Sequence, residues 1–204
     1  MDETEYVTKV YDIIAPHFDL TRGYLWKGVR DYLNMIEKGS TILDAGCGNG
    51  KNMLKDYDFR GLDSSVELAK IAIKKTGFEV DIGSVTEMPY QDETFDHVIC
   101  IAVIHHLNSD ERRTKAIMEI ARVMKINGTG LISVWELTVG DKVRCKKDGL
   151  VGWASITGNK VHQRYYHLFE KNEIESLANN VNGIIVTKSF WERDNFYIEI
   201  KKIK

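Results

Sequence analysis

A chain of 204 residues, 43% hydrophobic and 28% charged, has material for about one globular core and enough charge to stay dissolved. Two prolines and sixteen glycines exclude collagen-like and proline-rich disordered classes. Twenty-eight Lys and Arg against thirty Asp and Glu give a net charge of -2; this excludes a surface that grips nucleic acid everywhere but not a local basic patch.

The elements follow in chain order. Tyr6 to Ala15 spaces Val7, Val10, Tyr11 and Ile14 as one helix face, with Pro16 as its expected stop. A second helix is expected from Leu25 to Glu37, ended by Gly39. Alternation then begins: strand Thr41 to Asp44, strand Phe59 to Asp63, helix Val66 to Lys75 before Gly77, and strands Phe78 to Ile82 and Phe95 to Ile101. Ser109 or Asp110 caps a helix to about Met124, Gly128 follows, and Thr129 to Glu136 reads as strand. This pattern predicts an α/β fold with a parallel, doubly wound sheet. Beyond Leu137 a polar loop with four glycines reaches about Gln163. A helix (Lys171 to Asn179) and a closing antiparallel hairpin (Ile184 to Trp191, Asn195 to Ile203) complete the chain. We read 1–204 as one domain: helices over 1–38, a ligand-binding core over 39–137, a substrate loop over 138–169, and a closing helix and hairpin over 170–204.

The three cysteines, Cys47, Cys100 and Cys145, form no Cys-x-x-Cys pair, so neither a disulfide framework nor a zinc knuckle is indicated and no metal ligands are assigned. With an acidic amino terminus and no apolar run long enough to span a bilayer, a cytoplasmic or nuclear protein with no membrane contact is expected.

The strongest local signal is Leu43-Asp44-Ala45-Gly46-Cys47-Gly48-Asn49-Gly50, a glycine-rich turn directly after a strand. Bare backbone there lets a ligand approach closely. No Gly-Lys-Ser/Thr follows, which removes the P-loop, and Lys51 stands where a dinucleotide loop wants its third glycine. S-adenosylmethionine, which has no phosphate, is the remaining ligand. Asp44 could hold its ammonium, and Asp63, nineteen residues on at the end of the next strand, could accept both ribose hydroxyls. The alternative is a glycine turn followed by a helix-capping Asp. Cys47 and Cys100 are expected as structural thiols, in the loop and in an apolar strand.

With these residues the sequence resembles the class I methyltransferases, which have a Rossmann-like sheet. Met88 to Asp96 looks like that family's connection into the fourth strand, and Ala121 to Thr129 like its turn into the fifth. The resemblance implies cofactor contacts from Tyr11, Asp44, Gly46, Cys47, Gly48, Gly50, Asp63, Ser64, Ser84, Val85 and Ile101. At Ser84 the family often has an acid facing the adenine amine; a hydroxyl, or Glu87, would have to serve instead.

With only Pro16 and Pro89, the Asn/Asp-Pro-Pro-aromatic turn of base-amine methylation cannot exist. A carboxylate, already ionised at neutral pH, remains as a nucleophile that needs positioning rather than a base. His105 and His106 could orient it, and Arg22 or Arg164 could hold it by two hydrogen bonds; either histidine could equally just cap the following loop. Ile14 to Arg22 with Trp26, Ile101 to His106, Glu111-Arg112-Arg113, Val134-Trp135, Arg164 to Phe169 and Asp194 to Tyr197 together resemble the tRNA wobble-uridine carboxymethyl methyltransferases, which esterify 5-carboxymethyluridine. That resemblance implies catalytic roles for Arg22, His105, His106 and Arg164, and substrate contacts from His17, Trp135, Tyr165, Tyr166, His167 and Asn195. It also implies a small zinc-binding activator paired with the edge strand Phe78 to Ile82. One departure is clear: where the family has a basic residue and a proline between Arg22 and Trp26, this chain has Gly23-Tyr24-Leu25.

Residues 138–171 carry seven basic and three acidic side chains, a net of +4, and the remainder therefore carries -6. With Trp153, Tyr165, Tyr166 and Phe169 this segment is expected to meet a tRNA anticodon loop. The rival readings are a methyltransferase of a small carboxylic acid or quinone precursor, and a scaffold that keeps the fold without catalysis.

Overall fold

The computed structural model describes residues 2–139, 142–143, 146–154 and 161–204. A π-helical turn, Thr4–Thr8, runs into α1 (Lys9–Thr21), which α2 (Lys27–Met35) follows. Next come β1 (Thr41–Ala45), β2 (Asp58–Asp63), α3 (Val66–Thr76), β3 (Val80–Ile82), β4 (Phe95–Ile101), a 3-10 turn at Ile104–His106, α4 (Asp110–Val123) and β5 (Met124–Trp135). The two-residue strands β6 (Thr138–Val139) and β7 (Lys142–Val143) precede β8 (Asp148–Ala154), β9 (Val161–His167), α5 (Glu173–Asn179), β10 (Ile184–Glu192) and β11 (Asn195–Lys202).

Seven strands form one sheet in the order β10-β11-β5-β4-β1-β2-β3. β1 lies parallel between β2 and β4, and β11 is antiparallel to β5. The strands that cross the middle are buried on both faces, as Leu131 to Val134 are in β5. Such strands read as unbroken apolar runs. One face packs Leu43, Val98, Ile117 and Ile120; the other packs Val29, Leu33, Ile42 and Ile99. Local signals fix the helix ends. Ser65 Oγ accepts from Leu68 N–H at 3.2 Å to open α3, and Gly77, at φ +81°, closes it. Ser109 Oγ caps α4 in the same way.

Four expectations change. Pro16 sits inside α1 and does not end it. The ring removes one amide bond of the helix, but Val10 and Ile14 on either turn are held against Trp153, and packing outweighs the loss. β3 begins at Val80, because Phe78 turns aside to pack on Phe59. β5 starts at Met124, and its register with β4 slips between Phe95 and His97; Asn127, at φ +68°, sits in that bulge. The polar loop after Leu137 contains an antiparallel hairpin of two seven-residue strands, β8–β9, whose register runs from Asp148 opposite His167 to Ala154 opposite Val161. Its tip, residues 155–160, lies outside the described residues.

Candidate functional site

The strand order reverses at β1, whose neighbours are β2 on one side and β4 on the other. In open α/β sheets the crevice at such a switch point is where ligands bind. A cavity of about 300 Å³ opens there. Its floor is the glycine loop after β1. Gly46 has φ +84°, and a Cβ on it would come within 2.3 Å of Val103 Cγ2; Gly48 has φ +55° and donates its N–H to Asp63 Oδ2 at 2.7 Å. Asp63 Oδ1 accepts from Ser65 N–H at 2.8 Å, so the carboxylate is held by two backbone donors before any ligand arrives. Burial pushes its pKa up, and the Ser65 and Gly48 amides oppose that rise. Cys47, Ser64, Ser84, Val85 and Ile101 also line the cavity. The Ser84 hydroxyl is bonded to Thr86 Oγ1 at 2.9 Å.

Beneath the loop Asp44 is fully buried and does not reach the cavity wall. Its pKa is pushed up to about 7 by burial, against the opposing pull of Asn52 and Lys51. Three buried oxygens cluster in this stretch without a hydrogen-bond donor: Asp44 Oδ1, Asn49 Oδ1 and Asn52 Oδ1. Buried acceptors ordinarily have partners. Asn49 and Asn52 line the cavity, and a ligand rich in N–H donors, such as an ammonium, fits their deficit. Gly50 lies away from the cavity; a Cβ on it would meet Thr76 Cγ2 at 2.8 Å, so its role is to let the loop pack on α3.

The opposite wall has the reverse deficit. Arg164 on β9 is 4% exposed, its Nε has no acceptor, and no carboxylate among the described residues pairs with it. Its Nη1 donates to Tyr11 Oη at 3.1 Å, and its guanidinium lies over the rings of Trp153 (4.7 Å) and Tyr166 (5.1 Å). Arg22 also lines the cavity, with its guanidinium 4.9 Å from the Trp153 ring. A buried guanidinium without a carboxylate is costly unless an anion completes it.

The histidine tautomers follow from their partners. His106 Nδ1 lies 2.9 Å from the carbonyl of Tyr165, which can only accept, so Nδ1 carries the proton. Burial pushes the pKa of His106 down to about 3, so the ring is neutral and Nε2 accepts from Tyr11 Oη at 2.9 Å. A directed chain results: Arg164 donates to Tyr11, Tyr11 to His106, and His106 to the Tyr165 carbonyl. His105 Nδ1 accepts from Trp135 N–H at 3.2 Å, which places its proton on Nε2. Burial and the neighbouring His106 hold His105 well below the usual range. Tyr166 stacks on Trp135 (4.7 Å) and on His105 (5.0 Å), and those two rings lie 5.4 Å from each other.

Strand alternation divides the Arg-Tyr-Tyr-His segment. Arg164 and Tyr166 face the cavity; Tyr165 and His167 face away. Tyr165 Oη donates to Asp148 Oδ1 at 2.6 Å, and the two ring nitrogens of His167 meet Asp148 at 2.8 Å and Glu173 at 2.7 Å. Tyr165 braces the hairpin internally, His167 ties it to α5 through Glu173, and neither lines the cavity. Asp110, His167 and Glu173 bring three potential metal ligands within 4.8 Å, but the imidazole nitrogens are already engaged by carboxylates. His17 accepts from Trp153 Nε1–H at 3.0 Å and clasps the hairpin to α1; it too lies outside the cavity lining. Asn195 lines a neighbouring hollow, not the cavity.

The charged loop is not the exposed aromatic surface that its composition suggests. Trp153, Tyr165, Tyr166 and Phe169 are 8%, 5%, 1% and 0% exposed. They build the cavity wall and the core behind it. Lys147 is paired with Glu170 and Glu173; Arg144 and Lys160 lie outside the described residues, as does Cys145. Sequence reasoning missed two contributors. Lys51 lines the cavity with Nζ 4.2 Å over the Trp26 ring, and burial lowers its pKa to about 8. Glu3 takes two hydrogen bonds from Arg112 at 2.8 and 2.7 Å and pins the amino-terminal turn at the cavity rim. Charge at i and i+109 has no local signature.

Residues 43–132 match the family model described as a methyltransferase domain. The chain is 33% identical over 225 residues to a tRNA (carboxymethyluridine(34)-5-O)-methyltransferase of Schizosaccharomyces pombe, covering 98% of this chain and 97% of that protein. It is 30% identical over 260 residues to the tRNA (carboxymethyluridine(34)-5-O)-methyltransferase alkbh8 of Xenopus tropicalis, covering 98% of this chain but 41% of that protein. The chain therefore spans less than half the length of that longer relative. Among solved structures, the complex between the Haloferax volcanii Trm112 methyltransferase activator and a methyltransferase includes a similar chain, with a TM-score of 0.74 at 16% identity over 97% of this chain and 98% of that one. That likeness concerns the fold.

Proposed function

Because the chain belongs to the tRNA (carboxymethyluridine(34)-5-O)-methyltransferase family, we propose that it is an S-adenosylmethionine-dependent enzyme that forms the methyl ester of 5-carboxymethyluridine at the tRNA wobble position. The observation that carries this reading is the buried Arg164, without a carboxylate partner among the described residues, on the cavity wall. It supplies what a substrate carboxylate needs.

The cofactor, when bound, supplies an electrophilic methyl group, which a carboxylate oxygen accepts without giving up a proton. Gly46 and Gly48 would let it approach the backbone, Asp63 would take its ribose hydroxyls, and the orphaned oxygens of Asn49 and Asn52, on the cavity lining, suit its ammonium. The chain's other residues then need only bind and orient. Arg164, with Arg22 beside Trp153, would anchor the anion while the surrounding rings exclude water. Tyr11 holds Arg164 in place by accepting its hydrogen bond. Neither His105 nor His106 is suited to act as a cation, since burial keeps both neutral; His105 Nε2–H can orient an oxygen. Trp135 and Tyr166, stacked on each other at 4.7 Å, line the cavity that a uracil ring would enter.

The activator reading rests on the sheet edge. β3 is three residues long and terminal in the sheet, and Ile82 at its end is 52% exposed. Such an edge suits strand addition by a small partner, and any zinc would belong to that partner. A reducing, cytoplasmic setting fits the two buried free thiols, Cys47 and Cys100. The test is to co-purify chain and activator, incubate them with labelled S-adenosylmethionine and undermodified tRNA, and identify the nucleosides. A labelled methyl ester on the wobble uridine is expected. Labelling of a small acid instead, with none in tRNA, would overturn the assignment.

A further inference from the structure

Beside the cavity, and sharing Arg22, Trp26, Lys51 and Trp135 with it, lies a second hollow of about 280 Å³. Tyr24, Arg193 and Asn195 belong to this hollow alone. Arg193 comes from the turn between β10 and β11, where Arg193 and Asp194 have φ of +46° and +61°. That turn swings its guanidinium to 5.1 Å over the Tyr24 ring. A cation thus stands at the stretch between Arg22 and Trp26, where the local sequence, Gly23-Tyr24-Leu25, has none. No carboxylate among the described residues forms an ion pair with Arg193 or Arg22. Among the described residues the hollow therefore gathers three cations, Arg22, Lys51 and Arg193, and one acid, Asp194.

An independent observation points to a ligand here. Asn195 is 3% exposed; its Nδ2 donates to the Arg193 carbonyl at 2.7 Å, and its Oδ1 has no donor among the described residues. A buried amide oxygen without a donor, on a residue that lines a cationic, aromatic hollow, matches the N–H edge of a nucleobase. The guanidinium and ammonium groups match a phosphodiester, and the exposed Tyr24 ring offers a stacking face.

We propose that this hollow binds the nucleotide that flanks the modified uridine in the RNA, its phosphate held by Arg193 with Arg22 and Lys51, its base against Tyr24 and the Asn195 amide. The proposal rests on the tRNA reading above and extends it to a second subsite. It accounts for how an enzyme whose first cavity suits a single uridine would prefer that uridine within a strand. Continuity between the two spaces through Trp26 and Trp135 lets one chain of nucleotides enter both.

The experiment measures direct binding of a fluorescent anticodon stem-loop bearing 5-carboxymethyluridine to the complex of chain and activator, across a range of salt concentrations. Tyr24→Ala and Arg193→Ala are each expected to weaken binding about tenfold, the scale of one lost stacking or phosphate contact. Arg193→Ala should also make the slope of log affinity against log salt shallower by about 0.7, and Arg193→Lys should restore it. Tyr24→Ala should leave the slope unchanged. Affinity for S-adenosylmethionine should hold throughout. Stem-loop binding equal to the parent in both alanine variants would overturn the subsite. So would an equal loss of cofactor affinity, because the anion held would then be the cofactor's own carboxylate. If the parent complex binds the stem-loop and the variants weaken it, but no ester forms, the subsite stands and the assigned reaction falls.

Discussion

Tyr11→Phe removes one oxygen and keeps the ring, so its edge contact with Phe18 at 5.6 Å and its place under Arg164 persist. The oxygen links two buried groups, His106 Nε2 and Arg164 Nη1. Without it neither has a protein partner in that direction. One unsatisfied buried polar group costs about 1–3 kcal/mol; since Tyr11 borders the cavity, water moderates the loss, and we expect about 2 kcal/mol. For a protein of this size that corresponds to a fall in Tm of about 4–8 °C. Arg164 also loses the bond that fixes its orientation, so kcat/KM for tRNA should fall about tenfold while cofactor affinity stays within about twofold. Thermal unfolding, steady-state kinetics and calorimetric titration with S-adenosylmethionine are the assays. An unchanged Tm with unchanged kcat/KM would refute the directed chain. A selective loss of cofactor affinity would instead place the Tyr11 hydroxyl on the cofactor.

Arg164→Ala should abolish methyl transfer, by at least about a hundredfold, and leave the Kd for cofactor unchanged. Asp44→Asn should raise the Tm of the free protein at pH 8. Its raised pKa of about 7 means the folded state keeps a proton that the unfolded state has released, so stability falls as pH rises from about 4 to 7; the amide avoids that loss. Gly46→Ala should destabilise by about 2 kcal/mol or more and reduce cofactor binding, because a Cβ would strike Val103 at a φ of +84°. His106 has a folded pKa lowered to about 3, so between there and its unfolded value of about 6.5 the unfolded state binds more protons. Its contribution is complete above pH 6.5 and is lost as pH falls; urea unfolding from pH 7.5 to 4.5 should show that loss diminished in His106→Asn.

Local signals made much of this molecule legible in advance. The glycine loop, Asp63 at the end of β2, the caps Ser109 and Gly77, and the hairpin around Glu192-Arg193-Asp194 rest on interactions between residues near one another in sequence, which is why composition and periodicity register them. The hairpin β8–β9 was hidden, because its glycines, Gly149 and Gly152, read as loop, and its inward residues Trp153, Arg164 and Tyr166 gain meaning only against α1 and the histidine turn. For the same reason Pro16 misled: the packing of α1 on that hairpin cannot be read from α1 alone.

What the sequence by itself determined was the ligand-binding half, a strand, a bare loop and a second acid in register, because backbone conformation and strand-end position are local properties. Only the tertiary structure decided which of the polar side chains converge. Strand alternation sends Arg164 and Tyr166 into the cavity and Tyr165 and His167 to the far side, where His167 meets Glu173 of α5; Arg164 is buried there without a carboxylate among the described residues. The proton positions on the two histidines belong to that level as well, set by a carbonyl 59 residues away and an amide 30 residues away, since a hydrogen bond between distant segments exists only once the chain has brought them together.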